Sequence, residues 1–466
     1  MEIIKYYPLF SDKKLTKETL YNKLYNDINY KDSTVRNQLS RLLKLVQKYL
    51  IIEGFHGDPL AKENYLLGEL LRKNQVDLFL KNLKRTEAWA NVNPIDFDRI
   101  FALYMLERNK FNFYVLNEKI ITKKKIFPQI RNLNKTAIYL TIYFLAEIIC
   151  EYLNMNIYSE KFNTKQFTNY ISVVLGNINI ERIYDEIKNK NKHSYILKIY
   201  IALYYTFQNL DNDNCYYTYK NLIKKYSNKL SRDELSFHYS VMVSCNILKE
   251  KLKGYKDLYS NELLSLYSDI LNKDYFKNNI NVYLPQDLYR DILFLEIRAQ
   301  RLDLVKKLID EFSSKIYPKG RINMYSFSNA FYYFELKDYS KSLNFINKIK
   351  MDYFIYKFDV KNLTLKIYYE LGFYEEALSV IHSYRELLRK DEFLSEDRKL
   401  RHRNFIKYLR KLIIIKTSER LKEIEFFRQK LESVENLPYR RWIMDKVEEL
   451  INRKGPTQKP RFYDSI

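Results

Sequence analysis

Few residues in this chain have the types and spacing that chemistry requires. Its five histidines are His56, His193, His238, His382 and His402. None stands at a paired helical spacing from another or from a cysteine, so metal-assisted hydrolysis lacks its ligand set. Cys150, Cys215 and Cys245 are odd in number and far apart, which excludes a disulfide framework and fits a reducing cytoplasm. Eight scattered glycines cannot build a phosphate-cradling loop. Asp211-Asn212-Asp213-Asn214 has an acidic look but lacks the Gly and the terminal Glu of a calcium loop, so it reads as a turn. His56, between Gly54 and Gly57, reads as a titratable group in a loop with a turn role. Carboxylates are plentiful, yet no pair is placed for acid–base work. The expectation is a non-enzyme with no cofactor, no metal and no small-molecule ligand.

Positive charge is the stronger signal. Lys plus Arg number 80 against 57 Asp plus Glu, a net +23, which raises nucleic acid or an acidic surface as a partner. Part of it is compositional, because richness in Asn, Ile, Tyr and Lys is the bias of an AT-rich genome. Between Ser33 and Ile52 there is no acid, while Arg36, Arg41, Lys44 and Lys48 flank an apolar stripe of Val35, Leu39, Leu42, Val46 and Tyr49. Read as a winged helix-turn-helix recognition helix, this segment would present Arg36, Asn37, Ser40, Arg41, Lys44 and Lys48 to phosphates and base edges. The plainer reading is a solvated basic face, and a wing would need two strands from residues 51–59. Arg385, Arg389, Arg398, Arg403, Lys407 and Arg410 form a second basic patch that could receive an acidic partner.

The elements that position these residues are helices. Gly and Pro are sparse, and Leu, Ile and Tyr recur at three- and four-residue spacing. The N-terminal stretch predicts a helix from Thr16 to Asn26 and another from Ser33 to Leu50, capped by Asp32 or Ser33. Four or five helices follow to Asn154, with breaks near Gln75, at residues 91–94 and around Pro128. The most apolar segment, Ala137–Tyr152, is too short to span a bilayer and carries Glu147 and Glu151, so it reads as a buried helix. Trp89 and Trp442 read as packing residues. Ser395 opens a further helix as its cap, and residues 454–466 form a disordered tail. No signal peptide opens the chain.

A repeat organises the C-terminal half. Leu371-Gly372-Phe373-Tyr374-Glu375-Glu376-Ala377-Leu378 matches Leu336–Leu343 and, more weakly, Ala299–Lys306, at intervals of about 35–37 residues. Each unit predicts two helices about a turn. Tyr339 or Tyr374 sits at the corner, and Ser342 or Ala377 stands where the axes approach; Leu302 and Val305 mark the degenerate copy.

Leu15–Glu18, Val35–Leu42, Phe334–Leu343, Tyr368–Leu371 and the Arg385–Ile413 region together resemble a family of uncharacterised tetratricopeptide-like (TPR-like) proteins of Bacteroidota. The resemblance covers almost the whole chain and brings no activity and no catalytic residues. Family members often carry a further helical segment upstream of the Tyr6-Tyr7-Pro8 equivalent.

The expected fold is all-α: a right-handed α-solenoid of TPR-like helix pairs behind a small N-terminal helical or winged-helix-like segment. Residues 1–56 form that segment, 57–272 an irregular helical region, and 273–453 the repeats and C-terminal helices. A cytoplasmic protein-interaction scaffold is the expected function. A DNA- or RNA-binding regulator acting through residues 33–50, with the solenoid as sensor or dimerisation module, is the alternative, and a sensor in defence against mobile elements a third.

Overall fold

The structure is a computed structural model, and it describes residues 16–25, 29–92, 94, 96–117, 123–162, 170–253, 258–278, 282–350, 356–391, 394, 396–418, 423–434 and 436–452. The Ser395 cap and the tail at 454–466 lie outside the described residues. Helix accounts for nearly all of the rest, and the one extended pairing among the described residues is a parallel bridge between Leu284 and Ile316. The chain divides into two compact units, one of residues 1–152, 170–205 and 224–231, the other of 153–169, 206–223 and 232–466.

The first unit begins with α1 (Lys17–Tyr25), α2 (Asp32–Gly57), α3 (Pro59–Arg72), α4 (Val76–Val92) and α5 (Phe97–Leu116). Asp58 accepts from the Ala61 amide at 3.0 Å and Pro59 supplies the first helical residue, so α3 starts sharply. Asp96 caps α5 through the Arg99 amide at 2.8 Å. Helix α3 packs on α4 and α5. There Leu67, Phe79 and Ile100 are buried, and the Phe79 and Phe113 rings stack at 4.7 Å. Asn64 and Asn109 are buried in the same core, each satisfied: Asn64 Nδ2 donates to the Ala102 carbonyl and Asn109 Nδ2 to the Asn64 carbonyl.

The unit continues in α6 (Lys123–Phe162) as far as Tyr152, in α7 (Tyr170–Gly176) and α8 (Ile180–Ile187), and in α9 (Ser194–Gln208) as far as Tyr205. Pro128 does not break the chain: it lies within the first two turns of α6, where the missing amide removes a single bond close to the helix start. The expected buried helix at Ala137–Tyr152 is the middle of α6, with Ile142, Leu145 and Ile149 in the core. Ile130–Ser159 is long and apolar enough to cross a membrane by length and composition, and 39% of its most apolar window is buried.

Two expectations for the N-terminal helices are corrected. Helix α2 runs on to Gly57, which places Gly54, His56 and Gly57 in its last turns instead of a loop, and the 51–59 stretch is helical where a wing needed strands. Asp32 is the first helical residue and not the cap; Lys31 occupies that position without a side-chain bond. The Asp32 carboxylate instead takes the Tyr30 hydroxyl at 2.7 Å, the Lys17 ammonium at 3.1 Å and the Arg36 guanidinium. These donors, Tyr30 first, hold it down at about 2.

The second unit contains the start of α10 (Asp213–Tyr226), then α11 (Arg232–Lys253), α12 (Ser260–Asn272), α13 (Gln286–Arg298), α14 (Leu302–Lys307), α15 (Pro318–Glu335), α16 (Tyr339–Ile346), α17 (Lys357–Leu371), α18 (Tyr374–Lys390), α19 (Glu396–Thr417), α20 (Ile424–Glu432) and α21 (Arg440–Asn452). Consecutive helices pack on one another from α11 through α14 and from α15 through α19, and α13, α15 and α17 also touch in succession. The repeat is therefore a set of helix pairs: α13/α14, α15/α16 and α17/α18. Helix α14 is the degenerate one, ending in a π turn at Leu308–Phe312, with Val305 buried and Leu302 half-buried.

The turns share one backbone device. Gln300, Lys337 and Gly372 occupy equivalent repeat positions and all have positive φ, at 56°, 61° and 80°. Each is followed by an amide that reaches back five residues: Arg301 to the Glu296 carbonyl at 2.9 Å, Asp338 to Tyr333 at 3.0 Å and Phe373 to Tyr368 at 2.9 Å. This is the Schellman ending, which satisfies carbonyls the helix would leave orphaned. Asn74 and Asp274 close α3 and α12 in the same way. Ser342 and Ala377 are fully buried as their spacing predicts, and Ser342 Oγ donates to the Ala330 carbonyl at 2.6 Å, a contact that only a small residue permits. Tyr339 packs on Phe334 at 5.4 Å and Tyr374 on Tyr369 at 5.9 Å.

Candidate interaction surface

Helix α2 holds the first set of candidate residues. Its start is seated on α1, where Val35 is buried and the Tyr21 and Tyr30 rings meet at 5.6 Å. Every residue from Ser40 to Pro59 is exposed, although the last turns of α2 meet α3, where the Phe55 and Tyr65 rings stand 5.6 Å apart. At about 100° of turn per residue, Arg36, Asn37, Ser40, Arg41, Lys44 and Lys48 fall together on one arc of about 140°. The structure thus brings these six side chains to one face. Arg36 is paired with Asp32, whereas Arg41, Lys44 and Lys48 form no ion pair among the described residues. The other side of α2 is apolar and equally exposed: Leu45 is 65% exposed, Tyr49 60% and Leu50 56%. A recognition helix normally spends that side on its own domain. Here it faces solvent, so the sequence-predicted stripe is present but unpacked after Leu39.

The second basic patch spans α18 and α19, which pack on each other and bury Tyr384, Leu388, Phe405 and Leu409 between them. Arg385, Arg389, Arg398, Arg403, Lys407 and Arg410 are all exposed. Part of their charge is already answered, since Arg389 pairs with Glu386 at 2.7 Å and Arg403 with Glu396 at 3.4 Å. Surface pairs of this kind contribute little to stability.

Several polar groups that the sequence did not single out are assembled by the fold. Tyr384 donates to Asn362 Oδ1 at 2.9 Å and lies 2.8 Å from His402 Nδ1, with Phe358 stacked on the imidazole at 5.3 Å. Burial pushes the His402 imidazole down and the Tyr384 hydroxyl up, so both stay neutral near pH 7. The same pairing recurs as Tyr219 with His238 at 2.7 Å and Tyr139 with His193 at 3.1 Å. His193 is lowered to about 4, by burial first and then by Lys192 and Arg99. Glu234 approaches the second nitrogen of His238 at 3.2 Å, an order of groups like an acid–base relay. All three side chains are buried, and the Tyr219–His238 bond ties α10 to α11.

Lys366 is a second kind of buried group, a cation enclosed by aromatic rings. Its Nζ stands 4.0 Å from the Phe334 ring centre, 5.0 Å from Tyr439 and 5.6 Å from Trp442. Burial lowers it to about 8, with Glu335 and Glu370 acting the other way. Trp442 donates from Nε1 to Glu370 at 2.8 Å and so has the packing role its sequence position suggested. Trp89, 36% exposed, carries the Arg99 guanidinium 4.4 Å above its ring. Lys249 Nζ, on a side chain with no exposure, reaches Asp213 at 2.8 Å, and Tyr259 donates to the same oxygen at 2.9 Å. Asp213, Tyr259 and Glu262 edge an open depression of about 460 Å³ in the second unit. Local sequence carried no signal for these clusters, because their members stand tens of residues apart.

No protein-family model, no curated protein and no solved structure matches the chain.

Proposed function

We propose that the chain is a non-enzymatic scaffold whose TPR-like helix pairs stack as a right-handed α-solenoid and hold a protein or peptide partner in the cytoplasm. The observation that supports this reading most is the recurrence of the helix–turn–helix unit, with Gln300, Lys337 and Gly372 in the left-handed conformation at matching repeat positions. Arrays of such pairs leave a continuous face lined by one helix of each pair, which is how repeat proteins engage extended ligands. The resemblance to TPR-like proteins points the same way. Affinity capture from native lysate followed by crosslinking tests it: a stoichiometric partner crosslinked within residues 286–390 is the expected result. Failure to retain any stoichiometric partner across several salt concentrations counts against it.

The second reading, a nucleic-acid-binding regulator, draws on the gathering of Arg36, Asn37, Ser40, Arg41, Lys44 and Lys48 on one exposed arc of α2. Phosphate contacts make affinity fall steeply with salt. Reversing charge at Arg36, Arg41 and Lys44 should abolish binding, and unchanged affinity would remove this reading.

A further inference from the structure

The exposed half of α2 has an uncommon distribution of side chains. Leu42, Leu45, Val46, Tyr49, Leu50 and Ile52 occupy an apolar arc of about 160°. All six are exposed, from Leu42 and Val46 at 44% to Leu45 at 65%. Arg41, Lys44 and Lys48 lie on the opposite arc. The first acid after Asp32 is Glu53, which falls within the apolar arc but only at its far end, where it accepts the Tyr49 hydroxyl at 3.1 Å. Ile51, 72% exposed, and Phe55, 40% exposed, extend the apolar character around the last turns, and Tyr65 of α3 joins Phe55 at 5.6 Å. Most helical stability in proteins comes from packing an amphipathic face, so the apolar side of α2 calls for a cover.

We infer that α2 is a peripheral docking helix for an anionic lipid surface, lying in the plane of the bilayer interface with this arc immersed. Charge and shape favour that occupant. A single facing helix covers a stripe of about 100°, which would leave one flank of the arc wet. It would also offer nothing to the cations on the far side. A second copy of this chain brings the same uncompensated cations and a further net +23. A bilayer is flat and covers the whole arc. With side chains the helix is about 10–12 Å across, and the head-group layer on each side of the hydrocarbon is about 5–7 Å deep. A half-immersed α2 therefore keeps Arg41, Lys44 and Lys48 at the level of anionic head groups. A wide apolar arc opposed by a cationic one is the pattern of interfacial helices. This site lies in the first unit and is independent of the scaffold reading of the second.

Vesicle flotation of the full-length protein tests the assignment, using phosphatidylcholine alone and phosphatidylcholine mixed with phosphatidylglycerol. The protein is expected to float with the mixed vesicles, weakly or not at all with phosphatidylcholine, and less as salt rises. Lys44→Glu with Lys48→Glu should lower partitioning by at least about 30-fold, from about 1 kcal/mol per cation removed and more on reversal. Leu45→Ser with Leu50→Ser should lower it by at least about 100-fold through lost apolar insertion. These side chains are exposed, so circular dichroism and melting should be unchanged in both variants. Three results overturn the inference: no flotation with either vesicle, flotation indifferent to both pairs of substitutions, or a concentration-dependent dimer in light scattering that Leu45→Ser with Leu50→Ser dissolves. Binding to nucleic acid that survives the serine variant, with no vesicle binding, would overturn it in favour of phosphate recognition by the polar arc.

Discussion

Replacing Lys337 with glycine should stabilise the second unit, the opposite of what glycine does inside a helix. Lys337 stands at the end of α15 with φ at 61°, followed by the Asp338 amide bond back to Tyr333. A residue with a Cβ in this conformation bears about 1–2 kcal/mol of steric cost, and glycine relieves it. Glycine also enlarges the unfolded ensemble, which takes back about 0.4–1 kcal/mol. The net expectation for Lys337→Gly is a gain of about 0.5–1 kcal/mol. For a unit of this size that is a rise of about 1–4 °C in its melting transition. Gly372→Ala, at φ 80° in the next repeat, should lose a similar amount. Leu336→Gly, one residue earlier at φ −74°, should lower the transition and serves as the control. Scanning calorimetry of the full chain reads all three. A fall for Lys337→Gly comparable to that for Leu336→Gly would refute the left-handed cap and the repeat register built on it.

Other outcomes follow from buried groups. Glu296 is buried, its Oε2 has no hydrogen-bond partner among the described residues, and burial pushes its carboxyl up to about 7. The folded state thus holds a proton that the unfolded state releases near 4.5, and stability is lost as pH rises from there through about 7. Glu296→Gln should be more stable than the parent by up to about 3 kcal/mol at pH 8 and equal to it at pH 4, as chemical denaturation at the two pH values would show. Tyr384→Phe keeps the ring but strips His402 and Asn362 of their hydroxyl partner, and should cost about 1–3 kcal/mol in the same assay. Ala377→Leu forces a larger side chain between packed helices and should cost about 1–3 kcal/mol, while Ser379→Leu on the exposed side should be near neutral in thermal melts.

Helix periodicity and the repeat were legible because both are local: Leu336–Leu343 and Leu371–Leu378 state their turns within eight residues, and Ser342 and Ala377 proved buried where their spacing placed them. Gly372 announced its turn, but Gln300 and Lys337 take the same conformation without glycine, and nothing in their side chains signals it. Local reading failed where a helix tolerates breakers. Gly54 and Gly57 suggested a loop, yet α2 continues to Gly57 because Asp58 and Pro59 supply the true boundary. The abundant tyrosines could have lined a wet face. Several of the largest fully buried side chains are instead tyrosines, among them Tyr219, Tyr289 and Tyr384, with hydroxyls bonded to His238, Ser328 and Asn362. Those partners come from other helices, 19, 22 and 39 residues away, so no spacing rule within one helix reveals them. The basic arc of α2 was visible in composition, whereas the exposure of its apolar side depends on which helices do not reach it.

In the proposed function, the helix pairs of the second unit form the working surface of a scaffold. Hydrogen–deuterium exchange on the full-length protein, free and bound to a partner captured from native lysate, tests it most directly. New protection concentrated within α13–α18, between residues 286 and 390, is the predicted result. Protection confined to other helices, with those pairs unchanged, would contradict it.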